Sequence, residues 1–441
     1  MASRSKRRFA ALGAVASLAL ITSGCLQSED SGSDGGGGAA SGSSGDGTVT
    51  ILGAFGGAEK DNFEASLAAF EEESGIDVQY TDDQDFTTTV VQRVTSGDAP
   101  DIGIFPQPGA LLDLSDQMSP VQDFLDIDGL EQSLVPGFLD FTKEGDNYYG
   151  APMRLAVKSI VWYPKKAYEQ AGYDTEPATL DDLTAITDQI EADGTSPWCM
   201  GWESDQATGW VGTDWLEEYV LRLGGGDVYD QWVDHEIPFN DPQIGEALDT
   251  FGEIAKTDGQ VYGGTKAILN TAFGDAMTPA FDAQPKCYLM RQGNFITGFF
   301  PEDVQKNLDE EIGVFSFPPM NGGDDQPVLV GGDIAATFDG DDEEVQQVME
   351  FITSDQFGTE WANAGGWLSP HTTFDLAEYP DETTRSIAEI ANNATLARYD
   401  GSDQMPPVVG AGTFWTGMVD WVNGASTEDT LTTIEESWPA E

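Results

Sequence analysis

Positive charge is what this chain has least of. Its 441 residues carry 19 Lys and Arg against 78 Asp and Glu, a formal charge of −59 at pH 7. A surface so negative repels phosphate backbones and anionic lipid head groups, which argues against nucleic acid as a partner. Histidine is nearly missing too: His235 and His371 are the two, too few for a His-built metal centre, so no metal or other cofactor is expected. The sequence has no G-x-S-x-G elbow, Walker loop, H-E-x-x-H or C-x-x-C pattern, and no twelve-residue calcium loop. Its acidic runs Asp324-Asp325 and Asp339-Gly340-Asp341-Asp342 lack that loop's spacing and read as solvated turns. Glycoside cleavage needs two carboxylates about 5–10 Å apart, but among 78 acids some pair satisfies this by chance. No catalytic residue is assigned. Beyond the leader, no apolar run approaches the ~18 residues of a membrane helix.

What remains is an ordinary globular composition, 39% apolar with 51 Gly, in a chain long enough for two or three packed lobes. It opens on Arg4, Lys6, Arg7 and Arg8, followed by a 13-residue apolar run at 9–21. That run is too short to span a bilayer and the right length for a signal-peptide core. Residues 1–24 are therefore expected to be a lipoprotein signal peptide. Thr22-Ser23-Gly24-Cys25 resembles a bacterial lipobox, although Thr22 stands where an aliphatic residue is usual. Cys25 is the expected lipidation site, with plain secretion after nearby cleavage as the alternative. Residues 27–47 are almost wholly Gly, Ser, Ala and Asp, a composition that stays a flexible coil of roughly 25 Å reach. The expected location is the outer face of the cell membrane, held by the lipid. Cys199 and Cys287 remain. In an exported chain they most simply form one disulfide, with two buried free thiols as the alternative.

From Thr48 the pattern alternates between strand and helix. Residues 48–55 read as a strand, and Phe63, Leu67 and Phe70 then recur at helical spacing. A second strand follows at 77–80. Asp85 is a candidate N-cap for a helix bearing Phe86, Val90 and Val94, and a third strand runs over 101–105. Such alternation predicts a mainly parallel sheet with helices on both faces, whose ligands gather at the carboxyl ends of the strands. Residues 150–163 form a long extended stretch. After it Thr179 caps a helix that opens a second lobe, and helices are expected near 210–223 and 243–256. Residues 287–293 head back as a strand, and 312–318 with 328–338 are expected to return to the first lobe. The boundaries that follow are 25–47 for the lipidated Cys and linker and 48–441 for the body. Lobe 1 takes about 48–160 and 312–370; lobe 2 takes about 165–310 and part of 371–441.

Aromatics and hydrogen-bonding groups coincide in one place. Trp198, Trp202, Trp210 and Trp215 fall within 18 residues, mixed with Glu203, Ser204, Thr213 and Asp214. Sugars present hydroxyl rims and apolar C–H faces, so their sites need flat aromatic faces with carboxylates, amides and Arg at the edges. Neutral sugars also tolerate an acidic protein, whereas an anionic ligand meets a repulsive field. Against this, Trp is usually core, and Trp215 with Leu216 and Tyr219 reads as the buried side of a helix.

Several segments together resemble the sugar-binding branch of the bacterial extracellular solute-binding proteins (family 1), the receptors of ABC importers. They are Phe55-Gly56-Gly57-Ala58-Glu59, Gly97-Asp98-Ala99-Pro100-Asp101-Ile102, Val161-Trp162-Tyr163-Pro164-Lys165 (with Pro164 in place of the usual Asn), and Ala364-Gly365-Gly366-Trp367-Leu368-Ser369-Pro370. The cysteine pair around the Trp-rich segment resembles receptors for α-glucosides. The resemblance covers about 48–438.

It implies a periplasmic-binding-protein fold: two α/β lobes joined by a hinge, the ligand gripped in the cleft between them. It also implies a monomer that delivers a neutral sugar to membrane permease subunits powered by a separate ATPase. Carried over residue by residue, it points to stacking by Phe55, Trp202, Trp210 and Trp367. Hydroxyl recognition falls to Glu59, Gln107, Arg154, Glu203, Asp214, Asn294 and Asp333, while Lys158 and Trp162 are left to hinge packing. A receptor of this fold for a peptide or polyamine, and a surface glycoside hydrolase, are the alternative readings.

Overall fold

The computed structural model describes residues 47–322 and 326–439. The leader, Cys25, nearly all of the linker, and Asp324-Asp325 lie outside the described residues.

Strict alternation of side chains along a strand lets one strand supply two cores. In β1 (Thr48–Gly53), Ile51 packs with Phe63 and Leu67 of α1 (Ala58–Ser74), while its neighbour Leu52 packs with Phe86 and Val90 of α2 (Phe86–Ser96). Helices therefore cover both faces, as the sequence predicts. Between α1 and α2 runs β2 (Asp77–Asp82), and after α2 comes β3 (Ile102–Phe105); both pair with β1 in parallel. Gly75 and Gly97 end α1 and α2 in the left-handed conformation, at φ 79° and 77°, which explains why glycine stands there. Asp85 sits at the N-cap of α2, but its side chain makes no capping hydrogen bond.

The chain then crosses from β4 (Ala151–Val157) to β5 (Ile160–Pro164), and β5 begins a second sheet with β6 (Ser196–Trp198), β7 (Cys287–Arg291) and β8 (Ile312–Ser316). Thr179 caps the helix α3 (Leu180–Ala192) of this lobe, its side chain accepting from the Asp182 N–H at 3.1 Å. Two further helices belong to this lobe. The first, α4 (Trp210–Val233), breaks at Gly225; the second is α5 (Pro242–Ala255). Return to the first sheet comes with β9 (Pro327–Thr337), and β10 (Leu396–Tyr399) joins at its edge.

Two expectations change here. The first sheet is mixed, because β9 runs antiparallel to β3 and β4 and parallel to β10. Residues 312–316 do not return to the first lobe; β8 pairs antiparallel with β5, Phe315 opposite Val161, and the return falls at Pro327. An alternating apolar strand fits either sheet, and only its long-range partner decides which. The same holds for β10, a strand of the first sheet drawn from the region assigned in part to lobe 2.

Three crossings thus join the lobes: Lys158-Ser159, the segment between β8 and β9, and Asp400 after β10. In β5, Trp162 faces one core while Val161 and Tyr163 face the other. Cys199 and Cys287 form a disulfide, with Cα atoms 5.3 Å apart, that ties the end of β6 to the start of β7. Replacing both by Ser is expected to lower unfolding stability by roughly 2–5 kcal/mol, because the cross-link closes a loop spanning 88 residues in the unfolded chain. Urea titration of the two proteins measures it, and coincident curves would show that the bridge contributes nothing.

Candidate functional site

The carboxyl ends of β1 and β3 meet the crossing strand β4, and there the first group of expected residues comes together. Arg154 donates from Nε to Asp333 Oδ2 and from Nη1 to Glu59 Oε1, both at 2.5 Å. Its guanidinium lies 5.4 Å from the Phe55 ring and 5.1 Å from the Trp361 ring. So Phe55 from the loop after β1, Glu59 of α1, Arg154 of β4 and Asp333 of β9 form one cluster. Burial works against the Arg154 charge, but Asp333 and Glu59 hold its pKa above the ordinary value. Asp333 is pushed up by its own burial despite the guanidinium beside it. Gly332 lets this happen: a Cβ there would lie 2.0 Å from the Arg154 carbonyl oxygen. Phe55 is only 6% exposed and stacks on Tyr80 at 4.9 Å, so one face of its ring is already taken. Gln107, half-buried at the end of β3, accepts from the Thr87 hydroxyl at 3.3 Å and hydrogen-bonds Asp403 from beyond the third crossing. Burial and the neighbouring Asp400 push the Asp403 carboxyl well above the ordinary range.

The second lobe supplies an aromatic wall. Trp210 opens α4 and is half-buried, its indole N–H donating to Ser204 Oγ at 3.0 Å. Phe273 meets its ring edge-on at 5.2 Å, and Phe295 lies tilted 6.0 Å away. Lys158 Nζ stands 5.6 Å from the same ring. Gly209 precedes Trp210 at φ 122°, and a Cβ there would fall 2.2 Å from the Trp415 carbonyl oxygen, so glycine brings the two tryptophan segments together. Trp415 is half-buried and its indole N–H has no partner among the described residues. A cavity of about 400 Å³, lined by Thr297, Gly298, Gly365 and residues of 305–310 and 380–384, is a separate one: none of these aromatic residues lines it.

Other expected residues are used elsewhere. Trp202 is fully enclosed, stacked 6.2 Å from Phe251 inside the second-lobe core, and offers no face to a ligand. Trp367 is 1% exposed among Phe357, Trp361 and Phe374, so it too is core and not a platform. Asn294 spends its side chain on structure, accepting from the Val157 N–H at 2.8 Å and donating to the Gly366 carbonyl at 3.4 Å. Glu203 is half-buried and accepts from the Asp205 N–H at 3.1 Å. Asp214 is fully buried and bonded to Lys158 Nζ at 3.1 Å, its carboxyl pushed up to about 7 by burial, with Lys158 opposing.

That last contact belongs to a larger buried network along one face of α4. Lys158, the hinge residue, also pairs with Asp400. Ser159 donates to Glu218 at 2.9 Å, and Glu218 pairs with Arg222 and Arg291 at 2.7 Å each. Arg222 donates onward to the carbonyls of Phe317 and Pro318. Glu217 accepts from the N–H groups of Gly401 and Ser402. Residues 214, 217, 218 and 222 share a helix face by spacing, and through it α4 holds all three crossings.

Phe295, Trp415, Asp403 and Thr87 are the residues that sequence reasoning missed. Phe295 carried a readable signal, an aromatic just past the carboxyl end of β7. Trp415 carried none, because it depends on a π-helical turn at Val409–Phe414 and on the approach of Gly209.

The family model for bacterial extracellular solute-binding proteins matches residues 56–359. This chain belongs to that family. The osmoprotective compounds-binding protein GgtB of Synechocystis is 42% identical over 393 residues, covering 89% of this chain and 92% of that protein. The alpha-glucosides-binding periplasmic protein AglE of Rhizobium meliloti is 36% identical over 401 residues, 89% and 87% of the two chains. Among solved structures, the receptor AcbH superposes with a TM-score of 0.72 at 17% identity, covering 89% of this chain and 97% of that one. A chitin oligosaccharide binding protein gives 0.73 at 15%, covering 88% and 97%. The two-lobed periplasmic-binding-protein fold follows. The family member described here is an extracellular solute-binding receptor of an ABC importer, working with permease and ATPase subunits, and is not an enzyme. Among the described residues no helix is long and apolar enough to cross a membrane.

The hinge network yields a stability prediction. Lys158→Met leaves Asp214 and Asp400 buried without their shared cation, and is expected to cost about 3–5 kcal/mol of unfolding free energy. Chemical denaturation of the variant checks it; a loss below about 1 kcal/mol would show that the two acids take up protons instead.

Proposed function

We propose that this receptor binds an uncharged sugar, an α-glucoside or short oligosaccharide, in the cleft between its lobes. One observation carries the reading: a half-buried Trp210 flanked by Phe273 and Phe295 on one lobe, and on the other an Arg154 cluster whose carboxylates supply hydroxyl partners. Aromatic faces suit the C–H faces of a sugar ring, and Glu59, Asp333, Arg154 and Gln107 suit its hydroxyl rim. The surplus of acids disfavours an anionic ligand. The names of AglE and GgtB support a glucoside or a related osmoprotective compound. Ligand contacts to both lobes stabilise the closed form by the difference in affinity between the two states.

Isothermal titration of the chain starting at Thr48 with maltose, trehalose, glucose, spermidine and a tripeptide tests this. Saturable heat is expected with at least one of the sugars and none with the last two; binding of spermidine or peptide alone would overturn it. Trp210→Ala is expected to weaken sugar binding by at least about 1 kcal/mol, roughly fivefold. An unchanged dissociation constant would remove Trp210 from the site.

The proposal includes a lipid anchor at Cys25, with residues 27–47 as the tether. Cys25→Ser is expected to move the protein from the membrane fraction to the medium, as read by immunoblotting. Retention in the membrane fraction would exclude that anchor.

A further inference from the structure

We propose that Asp403 is a further recognition residue of the cleft, a hydrogen-bond partner for one sugar oxygen where the two lobes meet. The assignment rests on the sugar reading above and adds to it a residue that neither lobe's wall supplies.

Its place follows from its neighbours. Asp403 lies in a short helical turn, Gly401–Gln404, just past the third crossing. On the first-lobe side Gln107 hydrogen-bonds its carboxyl. The Gln107 oxygen accepts from the Thr87 hydroxyl at 3.3 Å, so its amide nitrogen is the atom that donates to Asp403. Tyr399 ties the same crossing to the first sheet, its hydroxyl shared between the carbonyls of Gly332, at 2.8 Å, and Pro106, at 3.1 Å. Gly332 is the neighbour of Asp333, and Pro106 follows β3. On the second-lobe side stand Lys158 and Asp214. Lys158 Nζ is also the group 5.6 Å from the Trp210 ring. Asp403 thus sits between the Arg154 cluster and the aromatic wall.

The fold makes little use of this carboxyl. Asp214 and Asp400 are enclosed and share Lys158. Asp400 also accepts from the Ser402 hydroxyl at 2.7 Å and the Asp403 N–H at 3.1 Å, and Glu217 accepts from the N–H groups of Gly401 and Ser402. Asp403, by contrast, is half-buried, and among the described residues no Lys or Arg forms an ion pair with it. A carboxyl beside two other acids, without a cation of its own, costs stability. Residues kept for binding show that pattern.

The same surroundings set its protonation. Burial and the neighbouring Asp400 and Asp214 push it well above the ordinary range, with Lys158 opposing. The other titratable groups of this cluster are Glu217, Tyr399 and, across Tyr399, Asp333, while Arg291 stands behind Asp214 at 3.5 Å. Near neutral pH the carboxyl therefore keeps its proton. One oxygen accepts from Gln107, and the O–H is left to donate to an oxygen of the sugar. Such a ligand favours the protonated form, so affinity falls as rising pH removes the proton.

Titration calorimetry with maltose, trehalose and glucose between about pH 6 and pH 9 tests this, with the thermal midpoint of each unliganded protein measured alongside. Sugar affinity of the wild-type receptor is expected to fall at least about fivefold across that range. Asp403→Asn keeps an acceptor for Gln107 and a donor for the sugar but cannot titrate. It is expected to bind within about threefold of wild type at pH 6 and to lose most of the pH dependence. Asp403→Leu is expected to weaken binding at least about tenfold at pH 7, with a midpoint at or above the wild-type value. A residue kept only for the helical turn gives the opposite result, a lower midpoint with unchanged binding, and that result overturns the assignment. Equal pH dependence in the Asp403→Asn and wild-type proteins overturns it too. Both of these outcomes leave the cleft reading standing, whereas a wild-type receptor that binds no sugar overturns the cleft reading and this assignment with it.

Discussion

One face of a single helix holds this receptor's two lobes in register. Asp214, Glu217, Glu218 and Arg222 of α4 reach Lys158 and Ser159 at the first crossing, Phe317 and Pro318 at the second, and Gly401 and Ser402 just beyond the third. Burying so many charges is expensive, and the gain over an apolar core is small. What ionic pairing adds is geometry. Each carboxylate accepts along fixed directions, so the three strands leave the first sheet at defined positions relative to the second. Any motion between the lobes then has to be absorbed within a few residues of Lys158, Pro318 and Asp400.

The tryptophans illustrate how one residue type divides between structure and binding. Trp198 and Trp215 meet edge-on at 5.1 Å, and Trp215 stacks on Phe251 at 5.0 Å, so the Trp-rich segment mainly fills the second-lobe core. Trp210 differs because it sits at the first position of α4, where Gly209 turns the chain toward Trp415. Its neighbours leave part of the ring uncovered. A single helical position thus separates a packing residue from a candidate platform.

Acidity works on two scales. Over the whole surface it repels anions and keeps the protein soluble. Inside, cations answer several of the acids, Asp333 and Glu59 by Arg154, Glu218 by Arg222 and Arg291, Asp214 and Asp400 by Lys158, while buried Glu217 is held by the Gly401 and Ser402 N–H groups. With so few cations in the chain, several of them are concentrated at the cleft and hinge.

By itself the sequence determined the local order of elements, the two-faced first sheet, the cap at Thr179 and the family, because these rest on side-chain period and short contiguous patterns. It also placed Phe55, Glu59, Arg154 and Asp333 among the candidates, each at a strand end or crossing. Tertiary structure decided the rest. Strands at 312–316 and 396–399 took sheets that their own alternation does not encode. Asp214 and Asn294 went to the hinge, and Trp202 and Trp367 to the cores, because a polar or aromatic side chain is spent on whichever partner the fold brings within reach. Those partners, from Asp214–Lys158 to Asn294–Val157, lie 56 and 137 residues apart in the chain, beyond any local pattern.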